Sequence, residues 1–383
     1  MSKVRDIASH CAWSALKLTP IRKNRVVFCS YYGRGYSDNP KAICEVLRKS
    51  GEDLDLVWLC KDEKEAKSLP EGVRAVSYNG IKRLKALASA AVWVDNCRKY
   101  ELLKRKKQFY MQTWHGFPLK RVEKDVEGAL SPDYVEACKK DSAQIDVILS
   151  GSGCLTKHFK ESFWYNGPVL NIGTPRNDIF FQDHSELHAK VCRALGVPED
   201  RKLVLFAPTF RKDQSTEPYR IDADMVCRKA EENFKGKWTV VIRLHPNVAF
   251  QSENLFSYDG DRIVDATLYP DMQELLCAAD LLITDYSSSM FDYALTGKPI
   301  VQFATDIETF KQDRNFYFQL DKLPFPLARN NEELEKILTD LQPLWTSQAW
   351  AEFARENEFC ENGTASIKSA ALILQHIHKL KKA

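Results

Sequence analysis

The sequence has no apolar run approaching the roughly 18 to 20 residues that a membrane-crossing helix needs. Its N-terminus has neither a signal-peptide apolar region nor a small-residue cleavage site, so a cytosolic protein is expected. C-x-x-C pairs are absent: 11 cysteines are scattered singly, with Cys29 and Cys44 the nearest two, which argues against a zinc ribbon or a redox motif and for small buried hydrophobes. Histidine is scarce, at 8 residues, and its one helix-spaced pair, His184 and His188 in "DHSELHAK", has no third ligand nearby and reads as solvated surface. There is no internal repeat, no low-complexity tract and no recognised nucleic-acid module, so no nucleic-acid partner is expected. No D-x-D ends a strand in the second half; Asp222 and Asp224 open a helix, where aspartate also serves as a cap.

What is present is 383 residues, enough for two domains of ordinary size, with a formal net charge of +3. That charge is uneven, because the first third is basic and the remainder acidic. The densest basic stretch is "RKYELLKRKK", Arg98 to Lys107, and the N-terminal "VRDIASHCAWSALKL" sets Val4, Ile7, Cys11 and Ala15 on one helical face. An amphipathic helix beside a basic cluster fits a protein resting on an anionic membrane surface. The competing reading is a helix packed on its own domain with a solvated charged face.

Short β-branched or aromatic runs alternate with helical patterns along most of the chain, which predicts an α/β protein with parallel sheets. The polar region after "GTPRND" places a domain boundary near residue 175, giving Rossmann-like domains of 1–175 and 176–383. In such sheets ligands lie at the carboxyl ends of the strands. Five segments fall there: "WHG", "GTPR", "APTFR", "RLHP" and "TDYSSS". If two sheets face each other across a cleft, all five point into it.

In "LLITDYSSSMFDYALTG" an apolar strand runs into Asp285, Ser287 and Ser288 and then into a helix, which reads either as ordinary N-capping or as a phosphate site. "VVIRLHPN" puts Arg243 and His245 at alternate positions of one strand, ended by Pro246. "FAPTFRKD" ends a strand with Pro208, Thr209 and Arg211, and "GTPRND" supplies Arg176. Three arginines, a histidine and a serine-rich helix start would suit a diphosphate, although each alone could be a surface ion-pair partner. Cationic side chains and a helix dipole could then replace a metal ion, so no cofactor and no metal are expected.

Taken together, "TWHGFPLK", "GTPRND", "FAPTFR", "RLHP" and "LLITDYSSSMFDYALTGKPIVQF", with "DMQELL" before the serine loop and "SYYGRGYSDNP" near the start, resemble the CDP-glycerol glycerophosphotransferase family of teichoic-acid synthesis. The resemblance implies a glycosyltransferase B fold, with two Rossmann-like domains facing a cleft and CDP-glycerol held mainly by the second. It implies transfer of glycerol phosphate to a hydroxyl of a lipid-linked acceptor with release of CMP, at the cytoplasmic face of the membrane. Carried onto this chain, His115 would take the acceptor's proton, beside Gly116, Phe117 and Pro118. His245 would bind the pyrophosphate and assist the departing CMP. Thr209, Arg211, Arg243, Ser287, Ser288 and Ser289 would grip the phosphates, within motifs that include Pro208, Asp285 and Asp292, while Arg176 would join them and Pro270 would lie near the nucleoside.

Two positions depart from the family pattern: Phe117 stands where threonine is usual, and Thr174 alters the "GxPRND" segment. Loss of a hydroxyl at Phe117 would shift donor or acceptor preference. CDP-ribitol is the alternative donor, and a nucleotide-sugar glycosyltransferase or epimerase of the same fold is the alternative enzyme.

Overall fold

The computed structural model describes residues 15–101, 104–126, 128, 130–213, 215–245, 248, 255–313, 315–341 and 347–382. The expected N-terminal amphipathic face, apart from Ala15, and Pro246 lie outside the described residues. Two compact units make up the chain. The first comprises Met1–His115, Glu123–Asp178 and Phe359–Ala383, and the second Gly116–Val122 and Ile179–Glu358.

The first unit holds a seven-stranded sheet. Its strands are β1 (Arg22–Cys29), β2 (Asp55–Cys60), β3 (Val73–Ser77), β4 (Ala90–Asp95), β5 (Phe109–Gln112), β6 (Val147–Ser150) and β7 (Val169–Asn171), in the order β3-β2-β1-β4-β5-β6-β7. All pairings are parallel. Strands such as β4 are buried along their whole length, as parallel sheets covered on both faces require, and this is why their sequences read as unbroken apolar runs. Helix Asp38–Arg48 presents Ile43, Cys44 and Leu47 to Val26, Phe28, Val92 and Val94, and the C-terminal helix Ala365–Lys382 adds Ala370, Ile373 and Ile377 to the same core. Asp178 starts that last helix by accepting the backbone N–H groups of Ala365 (3.0 Å) and Ser366 (2.7 Å). The chain therefore ends in the unit where it began, because the apolar stripe of its last helix fits the first sheet.

The second unit holds β8 (Lys202–Phe206), β9 (Trp238–Ile242), β10 (Ile263–Asp265), β11 (Leu281–Thr284), β12 (Ile300–Phe303) and β13 (Leu327–Ala328), in the order β10-β9-β8-β11-β12-β13. These pairings too are parallel. The order reverses between β1 and β4 in one sheet and between β8 and β11 in the other, which is where ligands of such sheets bind. Strand β9 stops at Ile242, so Arg243 and His245 lie beyond it and not on it. The reason is a switch of partner: the Leu244 amide donates to the Thr267 hydroxyl (3.1 Å) instead of continuing the ladder.

Three further expectations meet a different arrangement. Relative to a division at residue 175, segment 116–122 falls in the second unit and 359–383 in the first. The short segment is stitched in place by a Lys120–Phe316 bridge and by Tyr317 N–H donating to Leu119 O (2.9 Å). The basic stretch is largely internal: Arg98 and Lys99 are buried, the first against Glu123 and Asp141, the second against Asp95 at 2.5 Å, while Lys104 pairs with Asp146. Only Lys106 and Lys107 of its cations are fully exposed. His188 is not solvated surface, since its ring nitrogens sit 3.0 Å from the carbonyls of Ala278 and Arg201. Among the described residues every cysteine is free, and all but Cys154 and Cys360 are buried.

Candidate functional site

In the first unit the loop after β5 carries His115. Its half-buried ring stacks on Trp114, with centroids 4.2 Å apart, and its Nδ1 lies 2.7 Å from the carbonyl oxygen of Asn96, just past β4. A carbonyl only accepts, so Nδ1 bears the proton and Nε2 of the neutral ring keeps its lone pair. Burial pulls the pKa below the ordinary histidine value, outweighing the Asn96 carbonyl and the nearby Asp38 carboxylate, which favour the cation. The ring is thereby held in the form that can take a proton.

Arg176 is buried in this unit. Its Nη1 donates to Asp38 Oδ2 (2.6 Å) and to the carbonyl oxygen of His115 (2.9 Å). Asp38 also accepts from the Tyr31 hydroxyl (2.6 Å) and the Asn39 amide (2.6 Å). Burial alone would raise its carboxyl, but the guanidinium, the hydroxyl and the amide hold it below the usual range. These partners were not singled out in the sequence, although "SDNP" at the start of a helix after β1 was a signal for them.

In the second unit the loops after β8 and β11 are tied together. Thr209 N–H donates to Asp285 Oδ1 (2.8 Å), and so does Tyr286 N–H (2.6 Å). Arg211 is buried beneath them: its guanidinium reaches Asp306 through Nε (2.6 Å) and Nη2 (2.9 Å), Asp285 at 2.9 Å and the Thr209 carbonyl at 2.5 Å. The rings of Tyr219, Tyr286 and Phe310 surround it at 4.9 to 5.7 Å. An arginine assigned to phosphate thus has its donors committed to protein oxygens, and Asp306, missed in the sequence, is its main partner.

The Thr209 hydroxyl, by contrast, is buried without an intramolecular partner. Pro208 is buried behind it, Arg243 is half-buried, and His245 is exposed with its ring 5.3 Å from Phe210. In the serine run, Ser287 Oγ meets Ser289 N–H at 3.3 Å and Ser289 Oγ at 2.8 Å, and Ser288 caps nothing with its side chain. The helix that follows, Ser289–Tyr293, has five residues, so its dipole adds little and the hydroxyls and amides are what the loop offers an anion. Asp292 is buried and within reach of Gln273 (3.4 Å), and Pro270 is exposed ahead of helix Met272–Ala278.

Gly116 and Pro118 flank a residue with a packing role. Phe117 is 5% exposed and packs on Phe291 (4.7 Å), Phe318 (5.7 Å) and Phe353 (6.3 Å). It anchors segment 116–122 in the second unit, which accounts for an aromatic at this position.

The model of the family described as CDP-Glycerol:Poly(glycerophosphate) glycerophosphotransferase matches residues 12–375. The chain belongs to this family. Among its curated relatives is the teichoic acid poly(glycerol phosphate) polymerase of Bacillus subtilis (strain 168), 34% identical over 325 residues, covering 82% of this chain and 43% of the relative. The teichoic acid glycerol-phosphate transferase of Staphylococcus aureus (strain NCTC 8325 / PS 47) is 28% identical over 380 residues, covering 95% and 96%. The chain thus spans less than half of the first relative's length and nearly all of the second's. The wall teichoic acid polymerase TagF, solved as a histidine variant, superposes with a TM-score of 0.85 at 28% identity, covering 99% of this chain and 97% of that one. The same polymerase soaked with CDPG gives 0.82 at 29%, covering 98% and 96%. The chain therefore has the α/β, glycosyltransferase B type of architecture expected of it.

Proposed function

We propose that the chain transfers glycerol phosphate from CDP-glycerol to a hydroxyl of a lipid-linked acceptor, releasing CMP, in the synthesis of a teichoic-acid-like cell-surface polymer. The observation that carries the reading is His115: Nδ1–H donates to Asn96 O at 2.7 Å, burial keeps the ring neutral, and Nε2 is left to accept a proton. The relatives named for glycerol phosphate transfer and the CDPG-soaked structure support the donor.

In this mechanism Nε2 of His115 takes the acceptor's hydroxyl proton as its oxygen attacks the phosphorus bearing glycerol. The bond from that phosphorus to the bridging oxygen breaks, and CMP departs with the oxygen. Little covalent chemistry is asked of the protein, so positioning and electrostatics carry the rate. Thr209, Arg243, Ser287 and Ser288 contact the donor phosphates, and His245 donates to the departing CMP. Arg211, Asp285, Asp292 and Ser289 shape these loops from beneath, and Pro270 flanks the nucleoside. No metal ion is assigned a role, because cationic and hydroxyl donors meet the phosphate charge; on this reading chelation by EDTA leaves turnover unchanged. The acceptor places the enzyme at the inner membrane surface, with Lys106 and Lys107 the exposed cations of the basic stretch that meet anionic lipid.

The test is CMP release from CDP-glycerol, CDP-ribitol and UDP-sugars with vesicle-borne lipid-linked acceptor. CMP should appear with CDP-glycerol, and His115→Ala should lower it by about 10²- to 10⁴-fold, the usual worth of a general base. Release from CDP-ribitol alone, or of UDP from a sugar donor, overturns the donor assignment.

A further inference from the structure

We infer that Asp38, Asn39 and Arg176 are positioning residues for His115, acting through the backbone of residues 113–115 and touching neither substrate. The inference rests on the proposed role of His115 as base.

Three successive carbonyls before and at the histidine are each held from the side. The Asn39 side-chain amide donates to Thr113 O (3.3 Å) and Trp114 O (2.9 Å), and Arg176 Nη1 donates to His115 O (2.9 Å). The two holders are themselves joined, since Arg176 N–H donates to Asn39 Oδ1 (2.9 Å) and Asp38 pairs with Arg176 at 2.6 Å. Asn39 is fully buried, and Asp38 and Arg176 are nearly so. Buried amides and ion pairs of this kind are costly unless fully used, and here their use is to grip one loop.

That loop needs gripping. Trp114 has φ 52° and Asp38 φ 64°, both in the left-handed region that a side chain with a Cβ rarely adopts. Such a conformation persists only where surrounding contacts over-determine it. The left-handed turn at the residue before the histidine, and again at Asp38, which pairs with Arg176, sets the chain after β5 so that the imidazole meets Asn96 O. Asn96 is fixed in its turn by Tyr31 N–H (2.9 Å) and by Ser30 Oγ (3.2 Å). Both the peptide and the ring of His115 are thus located by groups from the loops after β1 and β4, from the start of helix Asp38–Arg48 and from the segment after β7. The charged groups that act on the ring are Asp38, Arg176 and Asp95.

The experiment measures kcat, KM for CDP-glycerol and the pH profile of kcat for the full chain and for Asn39→Ala, Arg176→Lys, Asp38→Asn and His115→Ala, with circular dichroism confirming the fold. Asn39→Ala and Arg176→Lys should lower kcat on the order of 10- to 100-fold with KM unchanged, as expected for a misplaced group. Asp38→Asn removes a negative charge that favours the imidazolium, so the acid limb of kcat should move to lower pH. If Asn39→Ala does not fold, Arg176→Lys and the pH profile of Asp38→Asn carry the test. Wild-type kcat in the folded variants beside an inactive His115→Ala overturns the positioning role alone, and a matched rise in KM for CDP-glycerol reassigns the residues to donor binding. Wild-type turnover in His115→Ala overturns the underlying reading instead.

Discussion

The Arg211 guanidinium and the Asp285 carboxylate meet at 2.9 Å, both buried, and join the loop after β8 to the loop after β11. A strand-end arginine beside a serine loop is what a phosphate site requires, yet this one is spent on the protein. Removing one member of such a pair leaves the other charge buried without compensation. Arg211→Ala should therefore cost about 3–5 kcal/mol of stability, read from urea denaturation. A variant that keeps wild-type stability and loses only CDP-glycerol affinity would return Arg211 to the phosphate-binding set.

Phe117 reads in the sequence as one of two departures from the family pattern, and in the fold its ring packs with Phe291, Phe318 and Phe353. Phe117→Ala should destabilise by about 3–5 kcal/mol. Phe117→Thr should show a smaller loss of the same kind before any change in donor preference. A stable Phe117→Thr variant with altered use of CDP-ribitol would instead make it a specificity residue.

Asp178 belongs to the strand-end segment "GTPRND", but it caps a helix that starts 187 residues later in the chain. Asp178→Ala should cost about 0.5–2 kcal/mol, the usual worth of an N-cap. Hydrogen exchange should localise the loss to helix Ala365–Lys382, with KM for CDP-glycerol unmoved.

The pH dependence follows from the depressed pKa of His115. On the proposed role of His115 as base, turnover needs the neutral ring, so kcat should hold down to below the ordinary value of about 6.5 before it falls. Between the folded and unfolded pKa values the unfolded chain holds a proton that the folded one lacks. Stability therefore rises with pH through that window and is lost as pH falls through it. Histidine NMR titration gives the folded value directly, and an acid limb above about 6.5 would contradict the buried, neutral ring.

Much of this protein was legible in its residues. Runs such as "AAVWVD" and "LLIT" specify parallel strands because both faces are buried and every position is apolar. The order of the strand-end motifs placed His115, Thr209, Arg243 and the serine loop at the carboxyl edges of their sheets. Strand β13 escaped notice because two residues carry no period.

Tertiary structure alone decided which polar residues are committed to partners inside the protein. Arg211, Arg176, Arg98 and Lys99 look alike in sequence to the exposed Lys106 and Lys107, since a side chain's type states what it can bind and not what lies close to it. Their partners, Asp306, Asp38, Asp141 and Asp95, are set by how distant loops come together, and local patterning does not encode that meeting. For the same reason Phe117 reads as a lost hydroxyl in the sequence and as an anchor in the fold, and the last helix belongs to the first sheet.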